Sequence, residues 1–345
     1  MYIHPSARRG ILIWLYSGII LVFCMIAVGG ITRLTESGLS ITEWNVVMGS
    51  VPPTSDADWQ AEFDKYKQSP EFRYKNFDFS LQQFKSIYWW EWTHRLLGRL
   101  IGLVFFLPFL YFLLRKKLTA KGVNRLLVIF VLGGLQGFIG WYMVQSGLVD
   151  EPRVSHYRLA LHLITALLTI SLIWWLTLDI RFPRNAAQPA GTQPYRNMLL
   201  AFFVIFTIQL IYGAFVAGLD AGQIYNTWPK MGEHWIAPGT FSGRPWHVSL
   251  YDQRHLVTIQ FMHRMIAVVL VIFAGALWFR SRKETSSPAQ KQGIQLMLGM
   301  ICLQFLLGVC TLLLHVPVWL GVLHQLGAVL LLLSSLFHAH RVYRP

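Results

Sequence analysis

Eight apolar runs, each long enough to cross a bilayer, alternate with polar segments along the chain: 11–31, 95–114, 126–144, 157–178, 197–218, 256–279, 292–312 and 318–337. On one side of this alternation the connections run long, short, long, short. They are the stretch from Thr32 to about Trp90, the segment Ser146 to Ser155, the stretch from Leu219 to about His255, and a few residues around His315-Val316-Pro317. That rhythm reads as two copies of a four-span unit, with 1–185 and 186–345 as the two halves. Within the first long connection, apolar residues recur at intervals of three and four in Asp58–Lys67 and again in Phe79–Phe84, where Ser80 stands as a cap. The pattern predicts short amphipathic helices lying against the outer surface, a lid or docking element rather than a structureless loop.

Composition agrees with the pattern. Of 345 residues, 54% are hydrophobic and only 13% charged, which is the usage of a polytopic membrane protein. The net charge of +14 raises nucleic acid as a partner, but its placement removes that option. The face carrying both termini holds sixteen Lys and Arg against Asp179 and Glu284, whereas the other face holds fourteen bases and fourteen acids. All of the excess lies on one side, so the basicity orients the protein with both termini in the cytoplasm. About ten residues precede the first span, without a cleavage site or an Arg/Ser-rich transit pattern, which points to a bacterial plasma (inner) membrane. The cysteines Cys24, Cys302 and Cys310 all lie in apolar spans, so no external disulfide is expected.

Residue matches strengthen the repeat. Glu36-x-Gly38 precedes Trp44 as Asp220-x-Gly222 precedes Trp228, and Met48-Gly49 and Met231-Gly232 follow. His94-Arg95 opens the second span and His263-Arg264 the sixth; Leu135-Gln136-x-x-x-Gly140 in the third span matches Leu303-Gln304-x-x-x-Gly308 in the seventh; His162 and His324 lie in the fourth and eighth. Both halves cross in the same sense, a parallel repeat about an axis along the membrane normal. The expected fold is therefore an all-α polytopic membrane protein of eight transmembrane helices in two pseudo-symmetric four-helix bundles.

Of twelve histidines, only His94, His162, His263 and His324 recur in register at the outer third of even-numbered spans. Each half can place two imidazoles on facing helices. That suits a flat macrocycle with axial positions, of which haem is the common case. Gly98, Gly102, Gly134, Gly137, Gly140, Gly299, Gly308 and Gly327 would leave room for a planar ligand, and Arg33, Arg95, Arg158 and Arg264 stand at the rim, where they would meet propionates. The competing reading is plain helix packing: histidines and Gln136, Gln209 and Gln304 bonding across helices, glycines allowing close approach, arginines snorkelling. His156, His255 and His315 read as rim residues, and His338 and His340 as inner-face solvent groups. Trp89, Trp90, Trp92, Trp235 and Trp246 read as an interface belt. Zinc is disfavoured because no Cys/His/acid cluster has structural-site spacing. Glu91 breaks the symmetry, since the second half carries Gln260 in its place. One half is thus expected to do chemistry and the other to hold a permanent redox centre, with pairing to Arg95 or Arg99 as the structural alternative.

Several long motifs carry a resemblance: Gly38-Leu-Ser-Ile-Thr-Glu-Trp44, Lys65-Tyr-Lys-Gln-Ser-Pro-Glu-Phe72, Glu91-Trp-Thr-His-Arg-Leu-Leu-Gly-Arg99, Gly213-Ala-Phe-Val-Ala-Gly-Leu-Asp-Ala-Gly222, Tyr225-Asn-Thr-Trp-Pro-Lys-Met-Gly232 and Gln260-Phe-Met-His-Arg264. Over essentially its whole length the chain resembles the haem A synthase family, in the proteobacterial and mitochondrial class that lacks a loop cysteine pair. The resemblance implies oxidation of the C8 methyl of haem O to a formyl group, giving haem A for terminal oxidase assembly. It implies that His263 and His324 are axial ligands of a resident haem b, that His94 and His162 face the iron of the substrate haem, and that Glu91 is the catalytic acid. Expected partners are haem O, haem O synthase, cytochrome oxidase assembly factors and the lipid membrane, with a homo-oligomer left open and no nucleic acid. The alternative is a di-haem membrane cytochrome b that carries electrons without altering either haem; a transporter is disfavoured by the parallel repeat.

Overall fold

The computed structural model describes residues 2–43, 48–148, 152–184, 190–241, 253–284 and 287–344. Trp44, Asp150, Glu151 and Trp246 lie outside the described residues. Among the described residues there are ten α-helices: α1 (Arg8–Leu34), α2 (Asp56–Tyr66), α3 (Pro70–Tyr74), α4 (Leu81–Leu114), α5 (Ala120–Gln145), α6 (His156–Arg181), α7 (Gln193–Gly218), α8 (Gln253–Ser281), α9 (Pro288–Leu313) and α10 (Val318–Tyr343). Among the described residues there is no strand, only the isolated bridges Ile3–Leu118 and Met231–His234. The eight helices other than α2 and α3 are long and apolar enough to cross a membrane, in agreement with the eight apolar runs. Within hydrocarbon no water meets an open backbone group, so a helix, which satisfies its own amides, is the form these runs adopt.

Helix starts follow local chemistry. Ser80 and Gln83 form a reciprocal capping box at α4, as Ser287 and Gln290 do at α9, and the Thr119 side chain caps α5. Pro108 sits inside α4 and cannot donate to the carbonyl of Val104. The indole Nε1 of Trp14 takes that acceptor at 3.0 Å and ties α1 to α4.

The first long connection differs in part from its sequence pattern. α2 covers most of the stretch from Asp58, but Phe79–Phe84 is no separate helix. It is the entry to α4, which begins at Leu81 and runs 34 residues. At about 1.5 Å per residue that is roughly 50 Å, against about 30 Å of hydrocarbon, so α4 projects well beyond the bilayer. The projecting turns are kept helical by packing: Phe84, Ile87 and Tyr88 form one aromatic core with Trp59, Phe63 and Tyr66 of α2. A short additional helix, α3, is capped by Ser69 and opened by Pro70.

The chain divides into two compact units, Met1–Ile170 and Ser171–Pro345, with the boundary inside α6. In the second unit, the expectation that His338 and His340 face solvent is wrong. They are 1% and 0% exposed. His340 Nε2 lies 3.0 Å from Asp179 Oδ1, which also accepts from Arg344 at 2.8 Å, and His338 Nε2 lies 2.7 Å from the Tyr195 hydroxyl. The last turns of α10 pack against neighbouring helices, so a polar helix end that looks solvated in sequence is an interior one.

Candidate functional site

In the second unit, His263 of α8 and His324 of α10 face one another with ring centres 6.5 Å apart and planes at 82°. Each ring lies against a glycine on the preceding span. A Cβ at Gly213 would stand 3.2 Å from His263 Cε1, and one at Gly308 would stand 2.9 Å from His324 Cε1. Gln304 donates to the His324 carbonyl at 2.8 Å and reaches its Nδ1 at 3.1 Å, which sets the ring's rotation. Gln209 approaches His263 Nε2 at 3.5 Å. Three buried polar atoms here, His263 Nδ1, Gln209 Oε1 and Gln304 Oε1, have no hydrogen-bond partner. Buried polar groups without protein partners are costly, and a bound group or water here would satisfy these three.

What fits is narrow. Among the described residues no three His, Cys, Asp or Glu side chains converge on a point, which does not suit a metal held by protein alone. Two opposed imidazoles suit a metal whose other positions come from a macrocycle. With metal–nitrogen bonds of about 2 Å, and about 1 Å more to each ring centre, two axial imidazoles stand roughly 6 Å apart, close to the observed separation.

The first unit repeats these local relations. A Cβ at Gly29 of α1 would stand 3.2 Å from His94 Nε2, and one at Gly140 of α5 would stand 3.0 Å from His162 Cε1. Gln136 donates to the His162 carbonyl at 2.9 Å and reaches its Nδ1 at 3.1 Å, while its Oε1 accepts from Thr165 at 2.5 Å. All four histidines are half-buried, neither sealed in a core nor turned out to the surface. The glutamines do act across helices, and their partner in each case is a histidine. Gly140 and Gly308, expected to leave room for a planar ligand, lie against the two histidine rings. Gly29 and Gly213 were missed, although each stands in a glycine-containing stretch at the outer part of an odd-numbered span.

Glu91 is 2% exposed, one turn before His94 on α4. Its Oε1 accepts from Arg95 at 2.6 Å, and its Oε2 accepts from Ser40 Oγ at 2.7 Å and the Ile41 amide at 2.8 Å. Arg95 in turn donates to the carbonyls of Ile41 and Glu43 at 2.9 Å each. Glu91 and Arg95 thus clamp the segment that follows α1, from the turn of α4 next to His94. In the second unit Gln260 donates to the Tyr225 carbonyl at 3.0 Å, and Arg264 donates to the carbonyls of Tyr225 at 2.7 Å and Thr227 at 2.9 Å. Arg158 likewise donates to the Tyr142 carbonyl at 2.7 Å. Arg95 and Arg264 therefore hold loop backbone, and Arg158 holds a carbonyl in the last turns of α5. Of the remaining histidines, His156 and His255 are buried and His315 is exposed. Trp89, Trp90 and Trp235 are exposed, as an interface belt requires.

An all-helical chain with eight membrane-length helices, one facing histidine pair, a second pair in similar local settings and one clamped carboxylate has the features of a multi-pass membrane protein suited to haem chemistry. The chain belongs to the COX15-CtaA family, described as cytochrome oxidase assembly protein, whose profile matches residues 12–336. It is 44% identical to the heme A synthase of Flavobacterium johnsoniae over 97% of this chain and 98% of that protein. It is 44% identical to the heme A synthase of Nitrosospira multiformis over 98% and 95%. Heme A synthase COX15 of Arabidopsis thaliana is 42% identical over 99% of this chain and 76% of the plant protein.

Proposed function

We propose that this chain converts haem O to haem A, an oxidoreductase reaction in which the C8 methyl of the substrate becomes a formyl group by way of the hydroxymethyl and gem-diol stages. Full-length similarity to heme A synthases supports the reaction. The division of labour rests on one observation: two locally alike histidine sites, of which only the first carries a buried acid. The half comprising residues 1–185 takes the substrate haem between His94 and His162, and the half comprising 186–345 holds a resident haem b between His263 and His324.

In the first half, the glycines opposite the imidazoles let a flat ligand approach, and the Glu91–Arg95 clamp closes the outer segment over it and limits water. Glu91 holds its carboxyl group one turn from His94, fixed by three hydrogen bonds. There it stabilises positive charge developing at the substrate, or takes a proton by giving up one of its three hydrogen bonds. In the second half His263 and His324 hold the cofactor, with Gln304 orienting one ring. A haem bound there supplies one-electron transfer. Both termini lie in the cytoplasm of a cell whose inner membrane houses the protein, and haem O synthase and cytochrome oxidase assembly factors are its partners, with a homo-oligomer compatible. A di-haem cytochrome b without chemistry would have no use for a buried carboxylate in one half only.

The test is extraction and mass analysis of tetrapyrroles from purified protein co-expressed with a haem O source. Haem b together with haem O, haem A or a hydroxylated form is expected. Haem b alone, with no haem A made by the cells, would overturn the assignment.

A further inference from the structure

A second buried carboxylate stands in the outer element, and the chemistry described so far leaves it unused. Glu71, on α3 within the Lys65–Phe72 motif, is 3% exposed. Its Oε2 accepts from the Tyr66 hydroxyl at 3.0 Å, and that hydroxyl accepts from Asn76 Nδ2 at 2.8 Å. Tyr66 is itself fully buried, stacked on Phe84 of α4. The charged groups facing Glu71 are Glu91 on α4, Lys75 just past α3, and Glu36 after α1. Lys75 and Glu36 pair with each other at 3.2 Å at the outer surface. Glu71 is thus a buried carboxyl close enough to Glu91 to feel its charge, with the Lys75–Glu36 ion pair nearby.

The two carboxylates have opposite surroundings. Glu91 has an arginine, a hydroxyl and an amide to hold its negative charge. Glu71 has one neutral hydroxyl and a lysine already shared with Glu36. Burial pushes the Glu71 carboxyl up to about 7, and the negative charge of Glu91 adds to the rise, against the lowering effect of the Tyr66 hydrogen bond. A carboxyl raised in this way can hold a proton near neutral pH and release it.

The reaction also moves protons. With water as the oxygen source, the methyl plus one water gives the formyl plus four protons and four electrons, the electrons passing to an external acceptor such as a quinone. With dioxygen as oxidant and an external electron donor, the methyl, two dioxygens, four protons and four electrons give the formyl and three waters. Protons cross between the buried site and water in either balance.

We propose that Glu71 is the proton-holding residue of the outer element, exchanging protons between the Glu91 site and outer water without touching the substrate. The inference rests on the reaction assigned above. It is tested in the full-length, haem-loaded protein by following haem A formation against pH in wild type, Glu71→Gln and Tyr66→Phe. Glutamine keeps an acceptor for Tyr66, so a merely structural Glu71 would leave the pH profile in place. The wild-type rate is expected to bend near pH 7, rising with pH if protons leave and falling if they enter. Glu71→Gln is expected to lose the bend and run on the order of 10-fold slower, with haem content unchanged. Tyr66→Phe removes the bond that favours the carboxylate and moves the bend to higher pH. A Glu71→Gln protein that keeps the wild-type profile, or, should that variant not fold, a Tyr66→Phe protein whose bend does not move, overturns the proposal. Absence of haem A from the wild type would instead overturn the reaction itself.

Discussion

Beside His94 the chain clamps its outer segment with a carboxylate and an arginine; beside His263 it does so with an amide and an arginine. The arginines behave alike, each donating to backbone carbonyls of the segment it covers. The acid and the amide do not. Glu91 accepts, from Ser40, the Ile41 amide and Arg95, whereas Gln260 donates to Tyr225 and leaves its Oε1 buried without a partner. An amide suffices to pin a loop, as the second unit demonstrates. A buried carboxylate costs several kcal/mol of desolvation that only good pairing offsets. The first unit keeps one where pinning does not demand it, so the charge points to chemistry at that site.

The strongest way to break this contrast is Glu91→Gln. Haem A formation is expected to fall about 100-fold or more with bound haem retained, read by chromatography of extracted haems. A wild-type rate would mean that the carboxylate is only a latch. The converse change, Gln260→Glu, should create no second reactive site. It sets a carboxylate against the Tyr225 carbonyl and should cost about 1–3 kcal/mol, visible as a lower unfolding temperature.

Next in size are the histidine cradles. Gly308→Ala brings a methyl within 2.9 Å of the His324 ring and should lower retention of the resident haem, while Gly140→Ala, at 3.0 Å from His162, should slow oxidation and leave that haem in place. Absorbance of the purified proteins and haem A yield separate the two. Equal effects of both changes on both readouts would remove the division of labour. Gln304→Leu frees the His324 ring and should weaken haem retention by about 10-fold, as loss of an orienting partner does at metal sites. The smallest effect belongs to Ser40→Ala, which removes one of three bonds to Glu91. About 1 kcal/mol, a few-fold in rate, is expected, with no change at the second site.

Much of this protein was legible before folding. A run of some twenty apolar residues has one stable form in a bilayer, so the eight spans could be placed from hydropathy alone. Ser80 could be read as a cap because capping is a contact between residues three apart. The matching positions of His94, His162, His263 and His324 were visible because their order along the spans can be read by counting. Contacts made across the sequence were not visible. Ser40 meets Glu91 from 51 residues away, and a glycine opposite a histidine looks the same in sequence as one opposite lipid. His338 and His340 read as solvated because the positive-inside rule describes flanks, and the packing of α10 that covers them is tertiary.

By itself, then, the sequence determined the number and order of the spans, the side that carries the excess charge, and the four histidines in register, since each depends on local periodicity or on counting. Only the tertiary structure decided that each imidazole lies against a glycine, that the rim arginines hold backbone, and that Glu91 is clamped while Glu71 is left with a neutral partner. Those outcomes depend on which distant groups share a low-dielectric site, and the free energy of a buried charge is set by its neighbours in space.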